Sequence, residues 1–221
     1  MAAEAVALVV SEAMSHHSEL RAYYEAEADQ RLRGPLAGPR LEWRQAFIEL
    51  LRTERRSSVV DFGAGPGRDV AGFRAAGIHA IGLDLAIGNA RLAREAGDLV
   101  VPGDVAQPPF RPGSFEGAWS MSTLMHLPDA AAKQALAAMA AATVPHSPMV
   151  VGVWGGNDEL RFDEQIAGQR RPFYRRSTES NTALFSQVAE VISVAEHGLG
   201  KHGYQLFQLR SRRNAEVSGP S

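Results

Sequence analysis

Residues 59–69, VVDFGAGPGRD, place an acidic side chain just ahead of three closely spaced glycines. Gly63, Gly65 and Gly67 can adopt φ values closed to other residues, and they carry no Cβ to block a ligand from the backbone. Asp61 disfavours a pyrophosphate at this loop and favours a sulfonium, an ammonium or other hydrogen-bond donors. The loop therefore predicts a site for a nucleotide-like ligand with a cationic part.

The spacing of the glycines separates this loop from the dinucleotide-binding fingerprint. That fingerprint is G-x-G-x-x-G, whereas this loop is G-x-G-x-G. An NAD-dependent oxidoreductase on a similar sheet requires the first spacing, so the sequence disfavours that rival. An ordinary tight strand-to-helix turn is the other alternative, and the neighbouring residues must decide against it.

Two further acidic residues follow the next two apolar runs. Asp84 ends HAIGLD, about twenty residues after the glycine loop, where a carboxylate can accept hydrogen bonds from both hydroxyls of a ribose. Asp104, in PGDV, either accepts a hydrogen bond from an exocyclic amine or forms an Asx turn at a strand end. Val105 beside it offers a flat apolar contact, and together these residues predict a place for adenine and ribose.

Short apolar runs alternate with helix-like stretches from residue 57 onward, which is the pattern of βαβ units in a parallel sheet. Two later runs, EVISVAEHGL and GYQLFQLRSR, lie too close together for a helical crossover and predict an antiparallel hairpin. The sequence thus predicts an α/β, doubly wound, Rossmann-like fold with helices on both faces of the sheet. The predicted parallel strands are Ser58–Phe62, His79–Asp84, Leu99–Val101, Gly117–Ser120 and Met149–Trp154.

Composition limits the class of protein. The chain has 221 residues and a formal net charge of −2, so it carries no general field that attracts nucleic acid or anionic membranes. It has no cysteine, and its histidines lack the spacing of a helical metal site, so we predict no metal. The N-terminal apolar run AVALVV is too short for a signal peptide or a membrane span, which favours a cytoplasmic protein.

The chain divides into three predicted parts. Residues 1–40 form an added helical segment that ends in a Gly/Pro-rich break, RGPLAGP. Residues 41–213 form the ligand-binding domain, and residues 214–221 are expected to be a disordered tail.

Four motifs in order resemble the class I methyltransferases that use S-adenosylmethionine, specifically their small-molecule, type 11-like group. These motifs are DFGAGPG, the acid of GLD, GDV, and FEGAWSMSTLMHLPD. The resemblance covers about residues 57–155. It implies a seven-stranded sheet whose antiparallel C-terminal hairpin forms one edge, and an N-terminal segment that is a lid over the cofactor.

On this resemblance, the cofactor S-adenosylmethionine contacts residues of all four motifs and of the lid. Arg68 would pair with the carboxylate of the cofactor, or else be a solvated arginine at a helix start. Tyr24 would cover the cofactor with its ring, or else be helical core packing. The full set is Tyr24, Asp61, Gly63, Ala64, Gly65, Gly67, Arg68, Asp84, Leu85, Gly103, Asp104, Val105, Ser120 and Met121.

Methyl transfer from a sulfonium is an in-line displacement in which the cofactor brings its own leaving group, so the protein mainly positions the reactants. A hydroxyl acceptor must lose a proton, whereas a neutral amine requires no base. His126 is the candidate base, with a structural histidine bonded to a loop carbonyl as the alternative.

The acceptor side is less well defined by the sequence. Tyr23, Trp154 and Tyr174 are candidate substrate-binding residues. The insert from Gly155 to Thr178 contains Arg170, Arg171, Arg175 and Arg176 around Phe173 and Tyr174, and it is either a solvated loop or a receptor for an anionic acceptor or nucleic acid.

We therefore predict an S-adenosylmethionine-dependent enzyme, monomer or homodimer, that methylates an oxygen or nitrogen of a small metabolite. A methyltransferase acting on nucleic acid or protein is one alternative. A non-catalytic protein that only binds S-adenosylmethionine is another, because methyl transfer has no obligatory catalytic residue.

Overall fold

A computed structural model describes residues 16–28, 38–166, 169–198 and 203–212. The helices are α1 (residues 16–28), α2 (Gly38–Thr53), α3 (Arg68–Ala75), α4 (Ile87–Glu95), α5 (Asp129–Ala142) and α6 (Thr178–Ser186), with a 3₁₀ turn at Leu124–His126. The strands are β1 (Ser58–Phe62), β2 (His79–Asp84), β3 (Val100–Pro102), β4 (Ala118–Met121), β5 (Pro148–Trp154), β6 (Glu159–Ile166), β7 (Gln169–Arg175), β8 (Ala189–His197) and β9 (Tyr204–Ser211).

Seven strands form one sheet in the order β3-β2-β1-β4-β5-β9-β8. The strands from β3 to β5 in this order are parallel, whereas β9 pairs antiparallel with both β5 and β8. This architecture confirms the predicted Rossmann-like sheet and its antiparallel C-terminal hairpin. The chain order reverses between β1 and β4, which is where open α/β sheets bind their ligands.

The parallel strands are short and almost wholly buried, as expected when helices cover both faces of a sheet. β1 and β2 have the predicted bounds, and the other three parallel strands differ from the prediction by one residue at one or both ends. On one face, Trp119 packs between Phe47 of α2 and Phe73 of α3. On the other face, Leu136 and Met139 of α5 lie in a second core beneath β4 and β5.

The insert after β5 is not an irregular loop. It forms the antiparallel pair β6 and β7, separate from the main sheet. The alternation of Leu160, Phe162 and Ile166 with polar residues is the period of a strand, and the arginine content of the insert obscured it.

Parts of the predicted domain organisation fall outside the described residues. These are residues 1–15 and 29–37 of the N-terminal segment, and the predicted tail at 214–221. Within the described ranges, no helix has the length and apolar character needed to cross a membrane.

Candidate functional site

The loops that follow β1 to β4 and the inner face of α1 enclose an open cleft of about 580 Å³ at the carboxyl edge of the sheet. This volume includes the solvent-filled mouth of the cleft. The lining includes eight of the residues predicted from sequence and five that were not: Tyr24, Gly63, Asp84, Leu85, Asp104, Val105, Met121 and His126, then His17, Leu20, Ser122, Thr123 and Leu127.

The glycine loop fits closely against its neighbours. At Gly63, where φ is 79°, a Cβ would lie 1.9 Å from Oγ1 of Thr123. Gly67 precedes the first residue of α3 with φ 83°, a value that favours glycine. The N–H of Gly65 donates to Oδ2 of Asp84 over 2.7 Å. The absence of side chains in this loop is therefore required by the packing of the protein itself around the cleft.

Asp84 links the glycine loop to the start of α4 at the mouth of the cleft. Its Oδ2 accepts from Gly65, and its Oδ1 accepts from the N–H of Ala86 at 3.0 Å and from Nδ2 of Asn89 at 2.9 Å. The side chain is 8% exposed and lines the cleft. These contacts fix the carboxylate between β2 and α4, at the position where the sequence predicts a ribose.

Asp104 forms the Asx turn that was one of its two predicted roles. Its Oδ1 accepts from the N–H of Ala106 at 2.8 Å, which is an Asx turn. Its Oδ2 lies 3.1 Å from Nε2 of His17 on α1, without the alignment of a hydrogen bond. The second oxygen thus faces the cleft, next to a side chain of α1.

Asp61 is a buried carboxylate without a hydrogen-bond partner in the described part of the chain. It is fully buried, and neither of its oxygens accepts a hydrogen bond. Burial, and then the nearby carboxylate of Asp69, raise its pKa well above the usual range, while the charge of Arg40 acts in the opposite direction. An unpaired buried carboxylate is costly, so its presence beneath the glycine loop indicates a ligand that brings a donor.

A buried polar network next to Asp61 was missed from the sequence. Asp69, in the first turn of α3, accepts from Nε of Arg40 at 2.7 Å, from Nη1 of Arg44 at 3.0 Å and from the indole N–H of Trp119 at 2.9 Å. The i, i+4 spacing of the two arginines on α2 places them on one helix face. The sequence shows that Arg40 and Arg44 share a helix face, but it does not show that their partner is Asp69 of α3.

Polar contacts near both ends of helix α1 hold it across the cleft. Glu25 accepts from the N–H groups of Ile87 and Gly88 at 2.6 and 2.8 Å, which caps the N-terminus of α4. Toward the other end of α1, Glu19 pairs with Arg170 of β7 at 2.8 Å. Helix α1 therefore covers the site as a lid would.

His126 lies in the 3₁₀ turn after β4 and is 3% exposed. Its Nδ1 is 2.7 Å from the carbonyl oxygen of Pro172, and its Nε2 is 2.7 Å from the hydroxyl of Tyr24. The loop-carbonyl contact is the one that the sequence considered as the alternative to catalysis. Because the hydroxyl of Tyr24 is hydrogen-bonded to Nε2, that nitrogen of His126 contacts Tyr24 rather than the open space of the cleft.

Several predicted residues support the site without lining the cleft in the described structure. Ser120 is buried and donates to the carbonyl of Phe62, and the carbonyl of Arg68 accepts from Arg44. The remaining predicted cofactor residues in this group are Asp61, Ala64, Gly65, Gly67 and Gly103.

The three predicted substrate residues also lie outside the cleft lining. Tyr23 is fully buried, its hydroxyl has no hydrogen-bond partner among the described residues, and burial raises its pKa. Tyr174 shares a hydrogen bond with His16 at 2.8 Å, and the ring of Trp154 packs edge-on against Tyr204.

Most of the arginines of the β6–β7 hairpin are paired with acids. Arg171 bonds Asp163 at 2.6 Å, and Arg176 bonds Asp129 at 2.7 Å. With Arg170 held by Glu19, these pairs leave little free positive charge for a polyanion. The described residues also contain no group of three or more His, Asp or Glu side chains able to hold a metal ion.

Comparisons with known proteins agree with this geometry. Residues 59–146 match the model of a family described as a methyltransferase domain. No curated protein sequence matches the chain.

Many solved structures share the fold. An S-adenosylmethionine-dependent methyltransferase from Methanosarcina mazei has a TM-score of 0.64 and 13% identity, over 72% of this chain and 94% of that one. A 1,6-didemethyltoxoflavin-N1-methyltransferase from Burkholderia thailandensis, with S-adenosylhomocysteine bound, has a TM-score of 0.58 and 21% identity, over 81% and 92% of the two chains. A structure from Haloferax volcanii, in which the Trm112 methyltransferase activator is in complex with a candidate methyltransferase, has a TM-score of 0.65 and 16% identity, over 89% and 99%.

Proposed function

We propose that the chain is a class I S-adenosylmethionine-dependent methyltransferase that transfers the methyl group to an oxygen or nitrogen of a small metabolite. The methyltransferase-domain model matched by residues 59–146 and the shared fold support this proposal. The observation that carries the proposal is the cleft at the carboxyl edge of the sheet, which His17, Leu20 and Tyr24 of α1 partly cover. A cleft that a helix partly covers suits a cofactor and a small acceptor better than a nucleic acid or a folded protein.

The residues present fit the cofactor. S-Adenosylmethionine supplies a methyl group activated on a sulfonium, together with an amino acid end, a ribose and an adenine. The unpaired carboxylate of Asp61 matches the ammonium of the amino acid end, because that group brings the hydrogen-bond donors that Asp61 lacks. Asp84 is assigned to the ribose, and the cleft-facing side of Asp104 with Val105 to the adenine, because all three residues line the cleft.

Arg40 is proposed as an additional residue of the amino acid end. It pairs with Asp69, and its charge acts on Asp61 as well. The guanidinium therefore balances two buried carboxylates, and we propose it as a partner for the cofactor carboxylate in addition to Arg68.

The contribution of the protein to the reaction is to position the acceptor and to exclude water. We propose that α1, within the lid segment 1–40, closes over the cleft through Tyr24 and Glu25. Ser122, which lines the cleft, has a positive φ of 59°, a conformation that costs energy outside glycine and that is often found at functional sites.

A nucleic acid acceptor is disfavoured by the pairing of charges. Binding a polyanion requires several lysines or arginines that are free to meet phosphates, whereas Arg170, Arg171 and Arg176 each pair with an acid.

The test is to supply S-adenosylmethionine with a labelled methyl group, together with a metabolite extract and, separately, total RNA and total protein. We expect the label in the small-molecule fraction and S-adenosylhomocysteine in equal amount. Label that appears only in RNA or protein would refute the small-metabolite proposal. Retention of NAD and no affinity for S-adenosylmethionine would refute the cofactor itself.

A further inference from the structure

Tyr24 and His126 form a hydrogen-bonded pair in the wall of the cleft, although 102 positions separate them in sequence. The hydroxyl of Tyr24 is 2.7 Å from Nε2 of His126, and both side chains line the cleft. Behind the imidazole, Nδ1 lies 2.7 Å from the carbonyl oxygen of Pro172 on β7. Three elements, α1, the 3₁₀ turn and β7, thus meet in one chain of hydrogen bonds.

The carbonyl of Pro172 decides the direction of these hydrogen bonds. A carbonyl oxygen only accepts, so Nδ1 of His126 carries the proton and donates it to Pro172. In the neutral imidazole, Nε2 then has a free lone pair, and the hydroxyl of Tyr24 donates to it. The phenolic oxygen of Tyr24 can also accept a hydrogen bond, and Nη1 of Arg171 donates to it over 3.5 Å.

We propose that Tyr24 is the catalytic residue that removes the proton of a hydroxyl acceptor, and that His126 is the proton acceptor behind it. This inference rests on the proposed function, and it narrows the acceptor to a compound with an acidic hydroxyl, such as a phenol. Tyr23, the adjacent residue of α1, lies outside this chain of hydrogen bonds.

The proton and electron balance of the step is complete. The acceptor oxygen forms its bond to the methyl carbon as the carbon–sulfur bond breaks, and the sulfur keeps that electron pair. The acceptor proton passes to the oxygen of Tyr24, whose own proton passes to Nε2 of His126. The resulting imidazolium donates from Nδ1 to Pro172 and later releases one proton to water.

Charged groups around the pair suit a transient negative charge on the tyrosine oxygen. Arg171 of β7 lies next to the Tyr24 hydroxyl, and its guanidinium is also 4.5 Å from the ring centre of Tyr23. Asp163 of β6 pairs with Arg171 and partly offsets its charge. Asp129 of α5 is held by Arg176 and does not act on the pair directly.

The first experiment tests the direction of these hydrogen bonds in the absence of a methyl acceptor. Long-range ¹⁵N–¹H NMR spectra of the full chain, free and with S-adenosylhomocysteine, report which nitrogen of His126 carries the proton. We expect the Nδ1–H form at neutral pH, and a shift of the Nε2 signal in Tyr24→Phe but not in Tyr23→Phe. An Nε2–H form in the wild-type protein would overturn the proposal.

The second experiment uses matched phenols and anilines with the same ring substituents, and it measures S-adenosylhomocysteine release against pH. We expect phenols to be methylated, with kcat lower by roughly 100-fold or more in Tyr24→Phe and in His126→Asn. Asparagine can still donate to Pro172, so this variant removes Nε2 while the loop contact is kept. The control His197→Asn, which makes the same side-chain change on β8 away from the cleft, should keep the wild-type kcat.

Two kinetic results would overturn the proposal: an unchanged kcat on phenols in both variants, or a wild-type enzyme that methylates only anilines. A lower kcat on phenols with the acidic limb of the pH profile lost in His126→Asn supports it. If no small acceptor of any kind is methylated, the proposed function fails. The NMR spectra then still test the hydrogen bond between Tyr24 and His126 independently of activity.

Discussion

Replacement of Asp61 by asparagine is predicted to stabilise the ligand-free protein and to weaken cofactor binding. The side chain is fully buried, has no hydrogen-bond partner among the described residues and lies near the carboxylate of Asp69. Burial raises the pKa of Asp61 above its usual value of 3.8. Between pH 3.8 and the raised pKa, the folded protein therefore binds a proton that the unfolded chain has released.

The sign of the pH dependence follows from this difference. The free energy of unfolding of the wild-type protein should fall as the pH rises through that window and stay lower above it. Each unit of pKa difference corresponds to about 1.4 kcal/mol. Asparagine does not titrate, so Asp61→Asn should gain at least about 1 kcal/mol at pH 8 relative to wild type, and almost nothing near pH 4.

The effect on binding should have the opposite sign. Loss of one partner of a buried charge pair costs about 2–5 kcal/mol, which is a loss of affinity between about 30-fold and several thousand-fold. Calorimetry with S-adenosylhomocysteine would measure the affinity, and urea unfolding between pH 4 and pH 8 would measure the stability.

The matched control is Asp69→Asn, because Asp69 is as deeply buried but is satisfied by Arg40, Arg44 and Trp119. This variant should lose about 3 kcal/mol of stability or more, since it breaks a buried ion pair. A destabilised Asp61→Asn protein, or one with unchanged cofactor affinity, would contradict the role given to Asp61.

Three further changes test other parts of the structure. Gly63→Ala should cost about 1–3 kcal/mol of stability because its Cβ meets Thr123 at a positive φ, and Thr123→Gly in the same chain should recover part of that loss; urea unfolding measures both. Asp84→Ala should weaken S-adenosylhomocysteine binding by about 2–5 kcal/mol in calorimetry, and unchanged affinity would remove Asp84 from the site. The hydrogen bond from Arg210 lowers the pKa of Glu54 from 4.5 to about 2, so Glu54→Gln should lose about 1 kcal/mol above pH 4.5 and nothing below about pH 2, and a loss that persists in strong acid would contradict the ion pair.

The sheet was predictable because its signals are local. The β-branched run before Gly63 and the acid that ends β2 mark strand ends within a few residues, and the turn geometry then brings Asp84 to the glycine loop. The β6–β7 pair was missed because the arginines of the insert favoured a solvated loop over the short alternation of Leu160 and Phe162 with polar residues.

The polar networks were not predictable because their partners come together only in the folded chain. Arg40 and Asp69 are 29 positions apart, and Tyr24 and His126 are 102 apart. A single sequence shows each residue type but not its partner. Asp61 is the intermediate case. Its charge suggested a cationic ligand, whereas the lack of a hydrogen-bond donor to it among the described residues is a property of the packed structure.

The capping of α4 by Glu25 has a consequence for how quickly the protein can release a spent cofactor. Its carboxylate holds the N–H groups of Ile87 and Gly88, immediately after the cleft residues Asp84 and Leu85. A bound nucleoside in the cleft would be shut in by this latch, so departure requires the two hydrogen bonds to break first. We expect the opening of this latch to slow the departure of the product.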